Sequence, residues 1–273
     1  MNFTRLVFLK LGGSLITEKT SPMTVRPEII HQLADEIASA VQADPGLRLL
    51  IGHGSGSFGH TIANQYQTQS GGDGKAYWRG FTEVWKAARE LNQIIITALT
   101  RVNLPVIAFP PSAGVISQDI HIKSWDIRPI QRALNHDLIP VVQGDVIFDD
   151  SMGGTILSTE VIFHYLAKQL NPHKILLAGL DEGVYRVING SKKIIPLITP
   201  NNIEHVMPVL STSEAVDVTG GMVAKVRSML SLVEENPFIT IQIFSGFEPG
   251  QTNKALTGKS APFGTVIAKG DLH

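Results

Sequence analysis

The chain has 273 residues, of which 43% are hydrophobic and 17% are charged, as is ordinary for a folded protein with a sizeable core. Its 23 lysines and arginines nearly balance its 24 aspartates and glutamates, and no basic run could follow a nucleic-acid backbone or an anionic membrane, so we expect a small-molecule partner. The absence of cysteine excludes disulfides, thiolate nucleophiles and thiolate-bound zinc.

The apolar segments give no sign of export or of membrane insertion. Residues 1–11 have too short an apolar part for a signal peptide and no small-residue cleavage site. Residues 94–99 are interrupted by polar positions and followed by Arg101, far short of the roughly 20 apolar residues that a membrane span needs. We therefore expect a cytoplasmic protein.

The order of apolar and amphipathic segments predicts an α/β fold. Short apolar runs predict buried strands at residues 6–11, 47–51, 106–109, 139–142, 175–177 and 239–244. Amphipathic stretches between most of them predict helices at residues 28–43, 81–102 and 160–170. This alternation is typical of a mostly parallel sheet covered by helices. We expect two lobes that share one sheet within a single domain, 1–273.

Two further segments predict hairpins. Residues 149–155, DDSMGGT, follow an apolar run and look like a hairpin tip. Residues 184–199 contain an Asn189-Gly190 turn, which favours a β-hairpin added to the second half of the chain. The second hairpin suggests that the sheet is not purely parallel.

A first glycine turn follows the first predicted strand, where residues 5–14 read RLVFLKLGGS. Lys10 supplies a cation, and Gly12 and Gly13 have no Cβ, so backbone N–H groups can approach an anion closely. This arrangement indicates a polyphosphate site. The alternative is a tight turn whose lysine merely pairs with a surface acid.

A second glycine turn, HGSGSFGH, follows the second strand and ends at His60. Gly54, Gly56 and Gly59 alternate with serines, which indicates a second phosphate site within reach of the His60 ring. The same letters match the dinucleotide fingerprint G-x-G-x-x-G, but that fingerprint needs an acid after another strand about 20 residues later, where a loop and helix are predicted. We interpret His53, before the turn, as a packing residue or one that supports the residues of the site.

Two later segments also carry polar groups at predicted element ends. In DVTGGMVAK, Gly220 and Gly221 open a predicted helix with Lys225 about one turn inside it, as suits phosphate at a helix N-terminus. In AGLDEGVYR, Asp181 follows a strand, at the edge of an open α/β sheet where ligands bind.

In this order, KLGGSLIT with Lys19, HGSGSFGH, QGDV, LDEGVY and DVTGGM followed by Lys225 resemble the amino acid kinase superfamily over nearly the whole chain. His60 makes the chain most similar to the isopentenyl phosphate kinases within it, and also to fosfomycin kinases, since acetylglutamate and aspartate kinases have no histidine there. The resemblance implies a three-layer αβα sandwich that uses ATP and Mg²⁺ to phosphorylate isopentenyl phosphate. It also implies a homodimer, with the acceptor in lobe 1–170 and ATP in lobe 171–273.

The resemblance also implies roles for individual residues. Those acting on the transferred phosphoryl group are Lys10, Lys19 and His60. Those binding the acceptor are Ser55, Gly59, His60 and Thr159. Those binding ATP are Lys10, Gly12, Gly13, Gly56, Asp181, Gly220, Gly221 and Lys225. No dedicated metal-ligand cluster is visible, which fits Mg²⁺ held by ATP phosphates and water.

Some features leave alternatives open. Relatives usually have Ser-Gly-Asp where this chain has Ser158-Thr159-Glu160, which puts the contact of Thr159 with substrate in question. The other functions considered are a kinase for another small phosphate or phosphonate, such as a fosfomycin-type antibiotic, and a nucleotide-binding sensor without catalysis. The candidates for an apolar acceptor-tail pocket are Trp78, Phe81, Val84, Trp85 and Ile147.

Overall fold

The computed structural model describes residues 5–188, 191–211, 221–258 and 263–270. The strands are β1 (Leu6–Leu11), β2 (Arg48–His53), β3 (Val106–Ala108), β4 (Ile116–Gln118), β5 (His121–Ser124), β6 (Ile139–Gln143), β7 (Asp145–Asp149), β8 (Gly153–Leu157), β9 (Lys174–Gly179), β10 (Tyr185–Ile188), β11 (Ser191–Ile194), β12 (Leu197–Ile198), β13 (Thr240–Ser245) and β14 (Thr265–Ile267). The helices are α1 (Gly13–Ile16), α2 (Pro27–Ala43), α3 (Gly56–Tyr66), α4 (Lys75–Arg101), α5 (Arg128–Asn135), α6 (Thr159–Leu170), α7 (Ile203–Ser211), α8 (Gly221–Glu235) and α9 (Gln251–Thr257).

The central sheet has eight strands in the order β12-β14-β13-β9-β1-β2-β6-β3. It is parallel from β13 to β3, whereas β14 runs antiparallel to β13. The predicted α/β fold with a mostly parallel sheet is therefore confirmed. The predicted added hairpin is present as β10 and β11, but it forms a separate two-stranded sheet, and the central sheet is not purely parallel because of β14. Its Asn189-Gly190 turn lies outside the described residues.

Successive side chains along each strand point to opposite faces of the sheet, so helices cover both faces. In β1, Leu6 and Phe8 belong to a core with α6 and α8, whereas Val7, Leu9 and Leu11 belong to a core with α2 and α4. On the first face the rings of Phe8 and Phe163 meet edge to face, 5.1 Å apart. The result is an αβα sandwich.

Helix α4 begins six residues earlier than the predicted start at residue 81. The glycines before it obscured the start, and Gly80 lies inside the helix. A Cβ at Gly80 would overlap the Tyr66 side chain, so this glycine lets α4 pack closely on α3.

Within the described ranges, no helix combines the length and the apolarity that crossing a membrane requires.

A four-stranded sheet of order β5-β4-β7-β8 lies beside the central one. The predicted hairpin tip joins β7 to β8, but β4 and β5 were not predicted. Asp149, at the end of β7, accepts a bond from Ser117 Oγ at 2.6 Å. It also accepts backbone N–H bonds from Asp119, Ile120, Ser151 and Met152. One carboxylate thus holds the β4–β5 and β7–β8 turns together.

The fold brings the loops that follow β1, β2, β6, β9 and β13 to one edge of the sheet, because these strands are all parallel. Strand β1 lies between β2, the next strand along the chain, and β9, which the chain reaches only after α6. A parallel sheet binds its ligands at such a position, outside the carboxyl ends of its strands.

Candidate active site

The glycine turns after β1 and β2 touch each other through their backbones. A Cβ on Gly13 would lie 2.5 Å from the nitrogen of Gly56, and one on Gly54 would lie 2.8 Å from the nitrogen of Gly13. Gly56 also has a φ of +49°, in the left-handed region that favours glycine. The turns predicted as separate phosphate sites therefore form one continuous site.

The hydroxyl of Thr17 joins the same turns. Thr17 is almost fully buried, and its Oγ1 donates to the Gly13 carbonyl at 2.8 Å. It accepts from the backbone N–H of Ser57 at 3.0 Å. The hydroxyl uses both its donor and an acceptor position, so it fixes the spacing of the turns.

Lys10, on β1, forms an ion pair with Glu160 in the first turn of α6. The Lys10 Nζ and Glu160 Oε1 atoms are 2.6 Å apart, and both side chains are largely buried. Burial alone would raise the pKa of Glu160, but the charges of Lys10 and Lys225 and the bond from Lys10 outweigh it and lower the pKa. Glu160 is therefore an ionised carboxylate that acts on two lysines.

The first turn of α6 is held by two hydroxyl side chains, Ser158 and Thr159. Ser158 Oγ caps the helix by accepting from the N–H of Val161 at 3.3 Å. Thr159 is buried, and its hydroxyl donates to the carbonyl of His53 at 2.7 Å. The Thr159 hydroxyl thus ties α6 to the end of β2.

His53 is buried at the end of β2 and uses both ring nitrogens. Its Nδ1 lies 3.1 Å from the Gly54 carbonyl, and its Nε2 lies 3.0 Å from Nδ2 of Asn92 on α4. Burial lowers the pKa of His53 to about 4, with the Gly54 bond opposing this shift and the charge of Lys10 adding to it. His53 is therefore neutral near pH 7, and its burial and hydrogen bonds fit the expectation of a packing or supporting residue.

Lys19 lies on a loop, residues 18–24, that is attached to the second glycine turn. The loop closes through a 2.8 Å bond from Glu18 N to the Thr24 carbonyl. Arg26 donates to the Glu18 carboxylate at 3.0 Å, and Met23 N donates to the Ser57 carbonyl at 3.4 Å. Lys19 is exposed on this loop, beside the touching turns.

An aromatic cluster of Tyr77, Trp78, Phe81 and Phe148 lies beyond the second glycine turn. The Trp78 ring is 5.3 Å from Phe81 and 5.9 Å from Phe148. Val84, Val146 and Ala63 of α3 pack in the same group. Of the other predicted tail candidates, Trp85 packs against this group and also lies under Arg89, 5.4 Å away, whereas Ile147 belongs to the main core.

The other predicted site residues are placed as follows. The N–H of Gly12 donates to the Ala178 carbonyl at 2.8 Å, so this group serves the fold and other groups must hold an anion there. His60 is exposed on α3. Ser55 Oγ lies 2.5 Å from the position that a Cβ on Gly59 would take, so a side chain there would overlap Ser55. Asp181 is exposed after β9. Gly221 begins α8, and Gly220 lies outside the described residues.

The structure also tests the alternatives for the glycine turns. Lys10 pairs with a buried acid of α6 and not with a surface acid. After α3 the chain continues into α4, and the next strand begins only at Val106, so the strand that a dinucleotide fingerprint requires is missing from this part of the fold. In the described ranges, no three His, Asp or Glu side chains form a group that could hold a metal ion.

Sequence reasoning missed Thr17 and Asn92. For Glu160, the family resemblance implies an acid that helps to arrange the active-site lysines, and the ion pair with Lys10 fits that expectation. No comparable signal marked Thr17 or Asn92.

Comparison with known proteins gives consistent similarities. The sequence profile of the Amino acid kinase family matches residues 5–245. The isopentenyl phosphate kinase of Methanocaldococcus jannaschii is 33% identical over 262 residues, covering 93% of this chain and 96% of the relative. That of Methanothermobacter thermautotrophicus is 31% identical over 265 residues, with the same coverage. A crystal structure of isopentenyl phosphate kinase aligns with a TM-score of 0.81 at 27% identity, over 96% of this chain and all of the other.

We predict that Thr17→Val destabilises the protein by about 1–3 kcal/mol, because it leaves the buried Ser57 N–H without its acceptor and removes one of the two donors to the Gly13 carbonyl. Urea unfolding measures this loss. The matched control is Thr100→Val, since the exposed Thr100 hydroxyl donates only to a carbonyl of its own helix. The control should change stability by less than about 0.5 kcal/mol. Equal effects of the two variants would contradict the role of Thr17.

We predict that His53 makes stability fall at acidic pH. An unfolded histidine binds a proton below pH 6.5, whereas folded His53 resists protonation until about pH 4, so stability is lost as the pH falls between these values. The shift corresponds to about 3 kcal/mol. Urea unfolding at several pH values measures the free energy of unfolding of wild type and of His53→Asn. The difference between the two should shrink by about this amount from pH 7 to pH 4. A constant gap would contradict the neutral, buried ring.

Proposed function

The chain belongs to the amino acid kinase family, and we propose that it phosphorylates isopentenyl phosphate with ATP, giving isopentenyl diphosphate and ADP. The observation that carries the proposal is the grouping of Lys10, Glu160 and Lys225 beside the touching glycine turns. Such a site supplies cations and backbone dipoles to phosphates on both sides of a transferred group. The similarity to isopentenyl phosphate kinases over nearly the whole chain names the acceptor.

The chemistry needs little beyond positioning and charge. An oxygen of the acceptor phosphate attacks the γ-phosphorus of ATP in line, a new P–O bond forms, and the bond to the β-phosphate oxygen breaks to release ADP. A phosphate monoester has a second pKa of about 6, so its oxygen is already largely ionised and needs no strong general base. The absence of an acid–base pair from the predicted residues fits this reaction.

Lysines stabilise the charge that spreads over the transferred group. Lys10 and Lys225 contact the β- and γ-phosphates, and Lys19 reaches the transferred group from the 18–24 loop. Glu160 holds Lys10 and acts on Lys225, which keeps these like charges at fixed positions before ATP arrives. This positioning matters because a misplacement of about 1 Å can cost 100-fold in rate.

Each ligand binds at its own part of the site. His60 donates a hydrogen bond to the acceptor phosphate, with help from Ser55, Gly59 and the α6 terminus at Thr159. The acceptor tail lies against the aromatic cluster, since apolar surface suits an isoprenoid chain. The ATP side consists of Lys10, Gly12, Gly13, Gly56, Asp181, Gly220, Gly221 and Lys225.

Magnesium completes the proposed reaction. The site residues are mostly lysines, glycines and hydroxyls; of the two carboxylates, Glu160 is engaged by Lys10 and Asp181 is exposed, a set that suits phosphates better than a bare cation. We propose that Mg²⁺ is held by the phosphates of ATP and by water, and that it neutralises phosphate charge during transfer.

Residues 1–170 then supply the acceptor lobe and 171–273 the ATP lobe. We place the reaction in the cytoplasm, where ATP is available. The homodimer implied by the family resemblance stays a prediction, and light scattering of the purified protein would test it.

We predict that the purified protein, with ATP and Mg²⁺, releases ADP when given isopentenyl phosphate. Dimethylallyl phosphate, fosfomycin and acetylglutamate should be compared in the same assay. His60→Ala should lower turnover by about 100-fold or more without unfolding, because it removes a donor to the acceptor phosphate. The matched control is His136→Ala, since the exposed His136 lies just before β6, at the opposite edge of the sheet. Turnover of another acceptor alone would contradict the proposed substrate, and ATP binding without turnover would indicate a sensor.

We predict that Glu160→Gln lowers kcat by about 10-fold or more, because the lysines lose the charge that positions them. The affinity for ATP should not weaken more than about twofold, since removing a negative charge does not repel phosphates. Steady-state kinetics and calorimetry measure these quantities. Glu160→Asp keeps the charge and should lose less. A wild-type kcat in Glu160→Gln would contradict the role of the charge.

A further inference from the structure

His53 contacts four segments of the site. Its ring bonds to Gly54 in the second glycine turn and to Asn92 on α4. Its carbonyl accepts from Gly144 N at 3.1 Å, in the turn after β6, and from the Thr159 hydroxyl at 2.7 Å, at the start of α6. The residue that ends β2 is thus the common partner of the second glycine turn, α4, the turn after β6 and the start of α6.

The hydrogen-bond directions in this arrangement are fixed by Asn92. Its Nδ2 can only donate, so Nε2 of His53 must accept. The ring hydrogen then lies on Nδ1, where it donates to the Gly54 carbonyl. The result is a directed chain of bonds from Asn92 through the ring to the glycine turn, with His53 and Asn92 both buried.

Asn92 connects this chain of bonds to the acceptor-tail region. It lies on the buried face of α4 that also carries Phe81, Val84 and Ala88. Phe81 precedes Asn92 by 11 residues, roughly 16 Å along a rigid helix. A shift of α4 at the aromatic cluster is therefore carried to the His53 ring.

We propose that His53 and Asn92 couple binding of the acceptor tail on α4 to the position of the second glycine turn. The pair makes His53 a positioning residue, through which binding energy from the unreacting tail improves alignment of the phosphate end. This inference rests on the proposed function, since it requires an acceptor with an apolar tail.

The kinetic test compares isopentenyl phosphate with methyl phosphate, which has the same phosphate end but almost no tail. Asn92→Leu breaks the link and keeps the ring near Gly54. It should lower kcat/KM for isopentenyl phosphate about tenfold and that for methyl phosphate about twofold or less, with the KM for ATP unchanged. Gln93→Leu makes the same chemical change at the next, exposed position and should match wild type. An equal proportional loss on both acceptors would overturn the coupling and leave only a structural role.

A second variant tests the bond partner. His53→Asn places an amide donor near the Nδ1 position, toward Gly54, but is too short to reach Asn92. It should show the same selective loss as Asn92→Leu, and the double variant should be no worse than either single one, because both break one link. Additive losses would overturn the proposal.

Hydrogen–deuterium exchange tests the link without relying on activity. Asn92→Leu should speed exchange in residues 54–60 about tenfold and leave β13 unchanged, whereas Gln93→Leu should change neither. Unchanged exchange in residues 54–60 would overturn the inference even if the kinase is active. If wild type fails on isopentenyl phosphate while exchange responds as expected, the proposed substrate is wrong but the link between α4 and the glycine turn stands.

Discussion

The contact between the glycine turns is the constraint on which the rest of the site depends. Gly13 and Gly56 meet without room for a side chain, so the ends of β1 and β2 are as close as backbones can lie. This contact needs adjacent parallel strands in register, and the pairing of Leu11 with His53 supplies that register. The hydroxyl of Thr17 and the bonds of His53 then hold the turns against movement. An aligned phosphoryl transfer requires such rigidity on both sides of the transferred group.

The arrangement of the charged side chains follows from the same geometry. Lys10 points from a buried strand, and an unpaired buried ammonium is costly, so the fold needs a carboxylate nearby. Glu160 supplies it from the start of α6, where a helix N-terminus also favours negative charge. Because Glu160 also acts on Lys225, one carboxylate arranges cations from both halves of the chain. The glutamate side chain reaches Lys10 by direct contact.

Much of the fold could be predicted from the sequence because its strands are short apolar runs and its helices have a clear apolar face. The six predicted strands lie within two residues of their observed ends. Strands β4 and β5 were not predicted because they are short and carry exposed polar residues such as Gln118 and His121, without an apolar run. The glycine turns were found since glycine marks them directly. The ion pair of Lys10 with Glu160 joins residues 150 positions apart. The bond of Thr17 with Ser57 spans 40 positions and that of His53 with Asn92 spans 39, so no local pattern encodes these contacts.

The central place of β1 has a consequence for how the molecule is made. Its first parallel neighbour, β2, follows within the first 53 residues, but the other, β9, ends only at Gly179. During synthesis β1 therefore has an open edge, with unpaired N–H and C=O groups, until more than half of the chain has emerged. Non-local parallel pairing of this kind folds slowly and exposes apolar strands in the meantime. A nascent chain of this protein is thus most exposed to aggregation just before β9 is complete, at the stage where a chaperone would be of most use.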